Sequence, residues 1–315
     1  MFSISNKNKI LVITGTTASG KTGLAVKLAH KFNGEIISAD CRQVYKYMDI
    51  GTGKDLGEYK LKFPAGKEVN IPYHLIDVVH PNTEYNLVKW KIKAELAVKE
   101  ILNKERVPII AGGTGLYTQA LVDNYDLSVV GQDKKLRERL DKKNIKQLVD
   151  ELKKINSKFA ENLHVSDKKN KRRLIRYLEV LRGAAGFSQK ASGDKNDYLI
   201  IGLTYPRDIL KKRIYERLIE RLEKEDMIRE VEKLHKKYGV SWKRLKNFGL
   251  EYKFISLYLK KELSYDEMVE KLNIAIGQFA KRQMTWLRRW EKQGTEINWV
   301  KSEKEAERLV ENFLK

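Results

Sequence analysis

The sequence predicts an α/β fold: a P-loop parallel sheet with crossover helices, interrupted by a helical insertion and followed by a helical C-terminal region. Three observations carry that expectation. A β-branched run, Ile10–Thr14 (ILVIT), leads straight into Gly15-Thr16-Thr17-Ala18-Ser19-Gly20-Lys21-Thr22 and then into a helical pattern through Leu24, Ala25, Leu28 and Ala29. That is the strand, loop and helix context that the G-x-x-x-x-G-K-[ST] pattern requires. Further short apolar runs alternate with helical stretches, as parallel strands joined by crossovers do. From Asp133 to Lys190 the chain is helical and basic with no strand-like run.

Taken in order, Glu35–Ser38 (EIIS), His74–Val79 (HLIDVV) and Val107–Ala111 (VPIIA) read as strands, with a helix over Asn86–Asn103. The last strand expected is Tyr198–Tyr205 (YLIIGLTY), which returns the chain to the sheet after the insertion. Beyond Pro206 the pattern is helical over Asp208–Tyr238, Trp242–Leu259 and Ser264–Gln293. Ser264 stands as N-cap of the last, with Glu267 at the capping-box position. These elements divide the chain into a first part of the core (1–132), a basic helical insertion (133–190), and a return strand with a helical C-terminal region (191–315).

Charge sharpens this division. The 315 residues carry 63 Lys+Arg against 42 Asp+Glu, a net +21, and residues 133–190 alone hold 18 basic and 8 acidic side chains. A charge so concentrated attracts polyanions, of which nucleic-acid phosphates are the commonest large ones. Cys41 is the single cysteine, so no intramolecular disulfide forms, and the N-terminal residues lack the parts of a signal peptide. No apolar stretch approaches the roughly 18 residues that span a bilayer. The expectation is a soluble, cytoplasmic protein with no membrane partner.

The loop Gly15–Thr22 offers backbone N–H groups and a helix N-terminus to a phosphate chain, Lys21 to its terminal oxygens, and the Thr22 hydroxyl to Mg²⁺. It specifies a di- or triphosphate ligand without specifying the reaction. A nucleoside triphosphatase, a kinase, or a transferase with a pyrophosphate leaving group all fit. Asp40 follows the second strand, at the end of a parallel sheet where α/β proteins place their ligands. It is a candidate general base or metal ligand, against the simpler role of a turn or N-cap aspartate.

The ordered segments GTTASGKT, ISADCRQVYKYMDIGTGK, PYHLIDVVHP, IIAGGTGLY, KRRLIRYLEVL, FGLEYKFISLY and FAKRQMTWLR closely resemble those of the tRNA dimethylallyltransferases, over nearly the whole chain. The resemblance implies transfer of a dimethylallyl group from dimethylallyl diphosphate to N6 of adenosine 37 in the tRNA anticodon stem-loop, by a monomer requiring Mg²⁺. It implies that Asp40 is the base, that Thr17 positions the reacting groups and that Arg217 contacts the diphosphate, with Arg221 as the alternative. It places Asp40, Cys41, Arg42, Gln43 and Thr114 around the flipped base and its neighbours. Two RNA surfaces follow from the same resemblance, Arg172, Arg173 and Arg176 on one and Lys281, Arg282 and Gln283 on the other. Thr16 stands where bacterial members usually have proline, Cys41 where serine is common, and Asp226-Met227 where a glycine-led pair is expected. Trp286 and Trp290 read as core residues, and His74 as a structural strand histidine.

Three other readings compete. In an ATP-dependent kinase or nucleoside triphosphatase, Asp77 would hold magnesium in the Walker B manner. A non-catalytic RNA-binding module would explain the charge and leave Lys21, Thr22 and Asp40 without a purpose. An adenylate isopentenyltransferase acting on AMP would share the loop and not need the basic insertion.

Overall fold

The computed structural model describes residues 8–64, 67–125, 133–183 and 196–315. Strand β1 (Lys9–Gly15) is the spine of the sheet. Its side chains alternate between two layers: Ile10 and Val12 join one hydrophobic core, Leu11 and Ile13 the other, as the two-residue period of a strand buried on both faces dictates. Helix α1 (Lys21–Lys31) covers one layer with Leu24, Ala25 and Leu28. Strand β2 (Gly34–Ser38) is buried throughout. A short hairpin, β3 (Lys60–Lys62) with β4 (Glu68–Asn70), and the two-residue strand β5 (Tyr73–His74) precede helix α2 (Leu87–Asn103), which is capped by the Asn86 side chain. Strand β6 (Val107–Ala111) and helix α3 (Gly115–Val122) complete this first stretch.

Residues 1–122 and 194–315 form one compact unit and residues 123–193 another. The second unit is built from α4 (Lys134–Asp141), α5 (Ile145–Ile155), α6 (Ser157–Asn162), α7 (Val165–Lys168) and α8 (Lys171–Arg182). Leu140, Leu148, Leu152, Leu174 and Leu178 are wholly buried at its centre. Asp133, Asn144, Asn156 and Asn170 cap four of these helices through their side chains. Residues 184–190, the end of the expected insertion, lie outside the described residues.

The chain returns through β7 (Asp197–Leu203), which pairs in parallel with β1 along its full length. Helices α9 (Arg207–Glu223), α10 (Met227–Lys236), α11 (Trp242–Phe248), α12 (Leu250–Leu259) and α13 (Tyr265–Lys292) follow, then β8 (Asn298–Trp299) and α14 (Glu303–Leu314). The sheet order is β5-β2-β6-β1-β7-β8, with every pairing parallel. The capping box of Ser264 and Glu267 forms as expected.

The structure departs from expectation in several places. The strand read over His74–Val79 stops at His74, because Leu75 and Asp77 take left-handed backbone angles and Asp77 turns to the wholly buried ammonium of Lys54, 2.5 Å away. The helix read over Asp208–Tyr238 is two helices, broken at Asp226 with φ 64°. That over Trp242–Leu259 breaks at Gly249, with φ 81°. Strand β8 was not expected, since two residues carry no periodicity.

Candidate active site

Each component of the cleft is placed by a strand end or by a helix face. At the end of β1, Gly15 comes so close to the opposing strand that a Cβ would lie 2.0 Å from the carbonyl oxygen of Leu203, which requires glycine. Ala18 and Gly20 then take positive φ of 58° and 82°, and alternating left-handed residues of this kind turn successive N–H groups inward to form an anion cradle. Lys21 begins α1, and its Nζ donates to the Thr16 carbonyl at 2.6 Å. Burial, followed by the neighbouring charge of Arg217, lowers its pKa to about 8, against the opposite pull of Asp40. Among the described residues the Ser19 hydroxyl is buried without a partner; Ser19, Thr17 and Thr22 all border the cleft.

Two distant helices hold this loop. The Thr17 N–H donates to Gln283 Oε1 at 2.7 Å, and Gln283 Nε2 donates to the Gly113 carbonyl at 2.9 Å. Arg213 Nε donates to the Ala18 carbonyl at 2.8 Å. Gln283 is thus buried between two backbone segments with both ends of its amide engaged. It supports the phosphate loop, a place quite different from the RNA surface on which it was expected. Lys281 and Arg282 beside it are exposed, and Arg282 borders the cleft.

Asp40 follows β2 and lies in the same cleft. Its Oδ1 accepts the Arg42 N–H at 2.7 Å, a turn that fixes the carboxylate. Burial raises its pKa, against the stabilising backbone N–H and charge of Arg42 and the charge of Lys21. Next to it, the Cys41 N–H donates to Thr114 Oγ1 at 3.2 Å, and burial followed by the charge of Asp40 pushes the Cys41 thiol up. The Arg42 guanidinium lies over the Phe248 ring, 5.2 Å from its centroid. Gln43 Oε1 accepts from the Ser38 hydroxyl at 2.7 Å, and its Nε2 donates to the Gly53 carbonyl at 2.9 Å. The amide orientation is therefore set before any ligand arrives, and among the described residues one Nε2 hydrogen is left over.

On the far wall, Arg217 and Arg221 of α9 both pair with Asp55. The cleft enclosed by these groups has a volume of about 1280 Å³ and is also bordered by Phe248, Leu250, Tyr252, Phe254, Ile276 and Phe279. It therefore joins an anion cradle, a carboxylate with raised pKa and an apolar lining.

Arg172, Arg173 and Arg176 lie on α8 of the second unit. Arg173 pairs with Asp167, and Arg176 with Glu179 at 3.2 Å, while Arg172 is exposed. Asp77, the magnesium ligand of the kinase reading, is engaged by Lys54 and does not border the cleft. His74 pairs with buried Glu35 at 2.7 Å, a structural contact. Trp290 is wholly buried in the core, and Trp286 packs against Gly115. Asp55 and Arg213 escaped sequence reasoning. Their partners lie more than 150 residues away in the chain, and nothing in the local pattern marks them.

Comparison with known proteins agrees with this architecture. The IPP transferase family matches residues 43–290, and the isopentenyl transferase family matches residues 8–62. A tRNA dimethylallyltransferase 1 from Syntrophus aciditrophicus is 44% identical over 93% of this chain and 94% of its own. A tRNA dimethylallyltransferase 2 from Treponema denticola is 44% identical over 95% and 97%. Among solved structures, the tRNA isopentenylpyrophosphate transferase of Bacillus halodurans superposes with a TM-score of 0.68 at 31% identity, covering 98% of this chain and 97% of that one. A eukaryotic dimethylallyltransferase captured acting on tRNA gives 0.71 at 25% identity, over 89% and 70%.

Proposed function

The chain belongs to the IPP transferase family, as a prenyltransferase that modifies tRNA, and we propose that its reaction takes place in the cleft between the phosphate loop and Asp40. The donor is dimethylallyl diphosphate and the acceptor is N6 of adenosine 37 in the anticodon stem-loop. The N6 lone pair is delocalised into the adenine ring, so attack on the allylic C1 needs a base. As the N–C bond forms and the C–O bond to diphosphate breaks, the N6 proton passes to the Asp40 carboxylate. A raised pKa makes that carboxylate a better proton acceptor. Negative charge collects on the departing diphosphate, where the amides of residues 18–22, Lys21 and Arg217 receive it. Thr17 is held at the mouth of the loop by Gln283, in position to orient the reacting groups. Phe248, Leu250, Phe254, Ile276 and Phe279 enclose the allyl chain and keep water from it.

Mg²⁺ fits this donor set. Among the described residues no cluster of three or more His, Cys, Asp or Glu side chains stands ready for a metal. Mg²⁺ on a diphosphate needs few protein ligands and keeps several waters, and the Thr22 hydroxyl borders the cleft beside the unpartnered Ser19 hydroxyl. When bound there, the ion neutralises charge on the leaving group. Cys41, Arg42, Gln43 and Thr114 frame the acceptor base. Arg172, Arg173, Arg176, Lys281 and Arg282 contact the RNA backbone. Among the described residues no helix is long and apolar enough to cross a membrane; a cytoplasmic monomer is part of the same proposal, and the single cysteine suits a reducing compartment.

The observation that carries this reading is the placement of Asp40 and the phosphate loop in one cleft. The deciding experiment follows radiolabelled dimethylallyl from its diphosphate, with Mg²⁺, into unmodified tRNA and separately into AMP, while ATP hydrolysis is monitored. The expected result is label in tRNA alone. Label in AMP would make the acceptor a free nucleotide. ATP consumption without label would return the loop to a kinase or nucleoside triphosphatase.

A further inference from the structure

Helix α9 carries Arg213, Arg217 and Arg221 at four-residue spacing, so all three project from one stripe of the helix, and all three border the cleft. Arg213 is engaged by the Ala18 carbonyl. The other two converge on one carboxylate: Arg217 Nη2 lies 2.5 Å from Asp55 Oδ2, and Arg221 Nη2 lies 3.0 Å from Oδ1 and 3.3 Å from Oδ2. Among the described residues neither guanidinium makes any other hydrogen bond, which leaves Nε and Nη1 of both unused. Arg221 is only 7% exposed. A guanidinium fork matches phosphate oxygens in shape and charge, and both of these border the cleft.

Two adjacent cations need a reason to stay together. Burial, then the charge of Arg221, lowers the pKa of Arg217, against the compensating charge of Asp55. Against burial, which works the other way, the two arginines hold the Asp55 carboxyl below its ordinary value. The backbone is shaped around the same pair. Asp55 takes φ 45° and Gly53 φ 62°, and a Cβ on Gly53 would lie 2.4 Å and 2.6 Å from the Nη2 atoms of Arg221 and Arg217. Glu58 and Glu251 also border the cleft, but among the described residues neither forms an ion pair with these arginines.

We propose that Arg217 and Arg221 act together as a two-pronged clamp on the donor's diphosphate, and that Asp55 is the positioning residue that holds the two guanidiniums side by side. This rests on the reading that the phosphate loop binds that diphosphate. It adds Arg221 as a second arginine contact and gives Asp55 a function.

The test is calorimetric titration of the full chain with inorganic pyrophosphate and Mg²⁺, together with steady-state kinetics. Wild type binds pyrophosphate. In Arg221→Gln the pyrophosphate Kd and the KM for dimethylallyl diphosphate should both rise about tenfold or more, the effect of losing charge-assisted hydrogen bonds, while the KM for tRNA stays within about twofold. Asp55→Asn should weaken pyrophosphate binding, Asp55→Glu should restore most of it, and the double variant should be little worse than Arg221→Gln alone. An unchanged Kd in Arg221→Gln would overturn the clamp. Equal or tighter binding in Asp55→Asn would also overturn it, by showing that the carboxylate competes with the diphosphate. A wild type that does not bind pyrophosphate would bring down the reading of the loop as well.

Discussion

In the cleft, Arg221 is buried and Lys21 and Arg217 are half-buried, and burial lowers the pKa of Lys21 and Arg217. In the unit 123–193, basic residues are more numerous and lie at the surface, many tied to acids: Arg137 and Arg176 to Glu179, Arg173 to Asp167, Lys143 and Arg182 to Glu151. The first arrangement concentrates field on one small anion and depends on every member. The second spreads charge over a surface where each member adds a little and salt screens it. Substitutions in the two regions should therefore differ in size and in what they change.

The largest effect is expected at Asp40. Asp40→Asn should lower kcat by about 10²–10⁴, the usual contribution of a positioned base, with tRNA affinity retained in a filter-binding assay. If most of the kcat survived, the base would lie elsewhere. Lys21→Ala should lower kcat/KM for the donor by about 10². The pH profile sharpens this prediction. Lys21 is charged below its pKa of about 8 and neutral above it, so kcat/KM for the donor should fall as pH rises through about 8, and Lys21→Ala should lack that limb. Asp40 must be ionised to act, and its pKa is raised, so the acid limb should lie above the ordinary aspartate range.

A smaller effect is expected from Gln283→Leu. It leaves the Thr17 N–H without its acceptor, at a cost of about 1–3 kcal/mol, and should raise the KM for the donor while leaving the KM for tRNA unchanged. A change confined to tRNA would return Gln283 to the RNA surface. The smallest is expected from Arg172→Gln with Arg173→Gln. tRNA binding should weaken a few-fold at low salt, and the slope of log K against log salt should flatten by roughly 0.7 per lost contact. An unchanged slope would assign these arginines to the surface alone.

Much of this was legible in the chain because the signals are local. The strand, loop and helix of residues 9–31 are adjacent in sequence, and so are Asp40 to Gln43 and the capping box at Ser264. Several of the misreadings share a cause, which is that partners outside the local window override local pattern. His74–Val79 alternates and is apolar enough for a strand, but the buried ammonium of Lys54 draws Asp77 out of it. Gln283 sits among Lys281, Arg282 and other polar residues and reads as surface, yet helix geometry turns it alone inward toward Thr17 and Gly113. The pairing of Asp55 with α9 spans more than 160 residues, and no window of sequence contains both partners.

The clasp of Gln283 on Thr17 also bears on how the protein is made. The phosphate loop leaves the ribosome before the elements that hold it: β7 pairs with β1 in a register more than 180 residues apart, and the acceptor for Thr17 is 266 residues behind. The unit 123–193 has its own leucine core and can close during that interval, as domains generally fold in units. The phosphate loop thus takes its shape from segments translated far apart in time. A polypeptide released before Gln283 carries the complete loop sequence without the contact that holds Thr17, so on the proposed reading the ability to hold the diphosphate follows translation of α13.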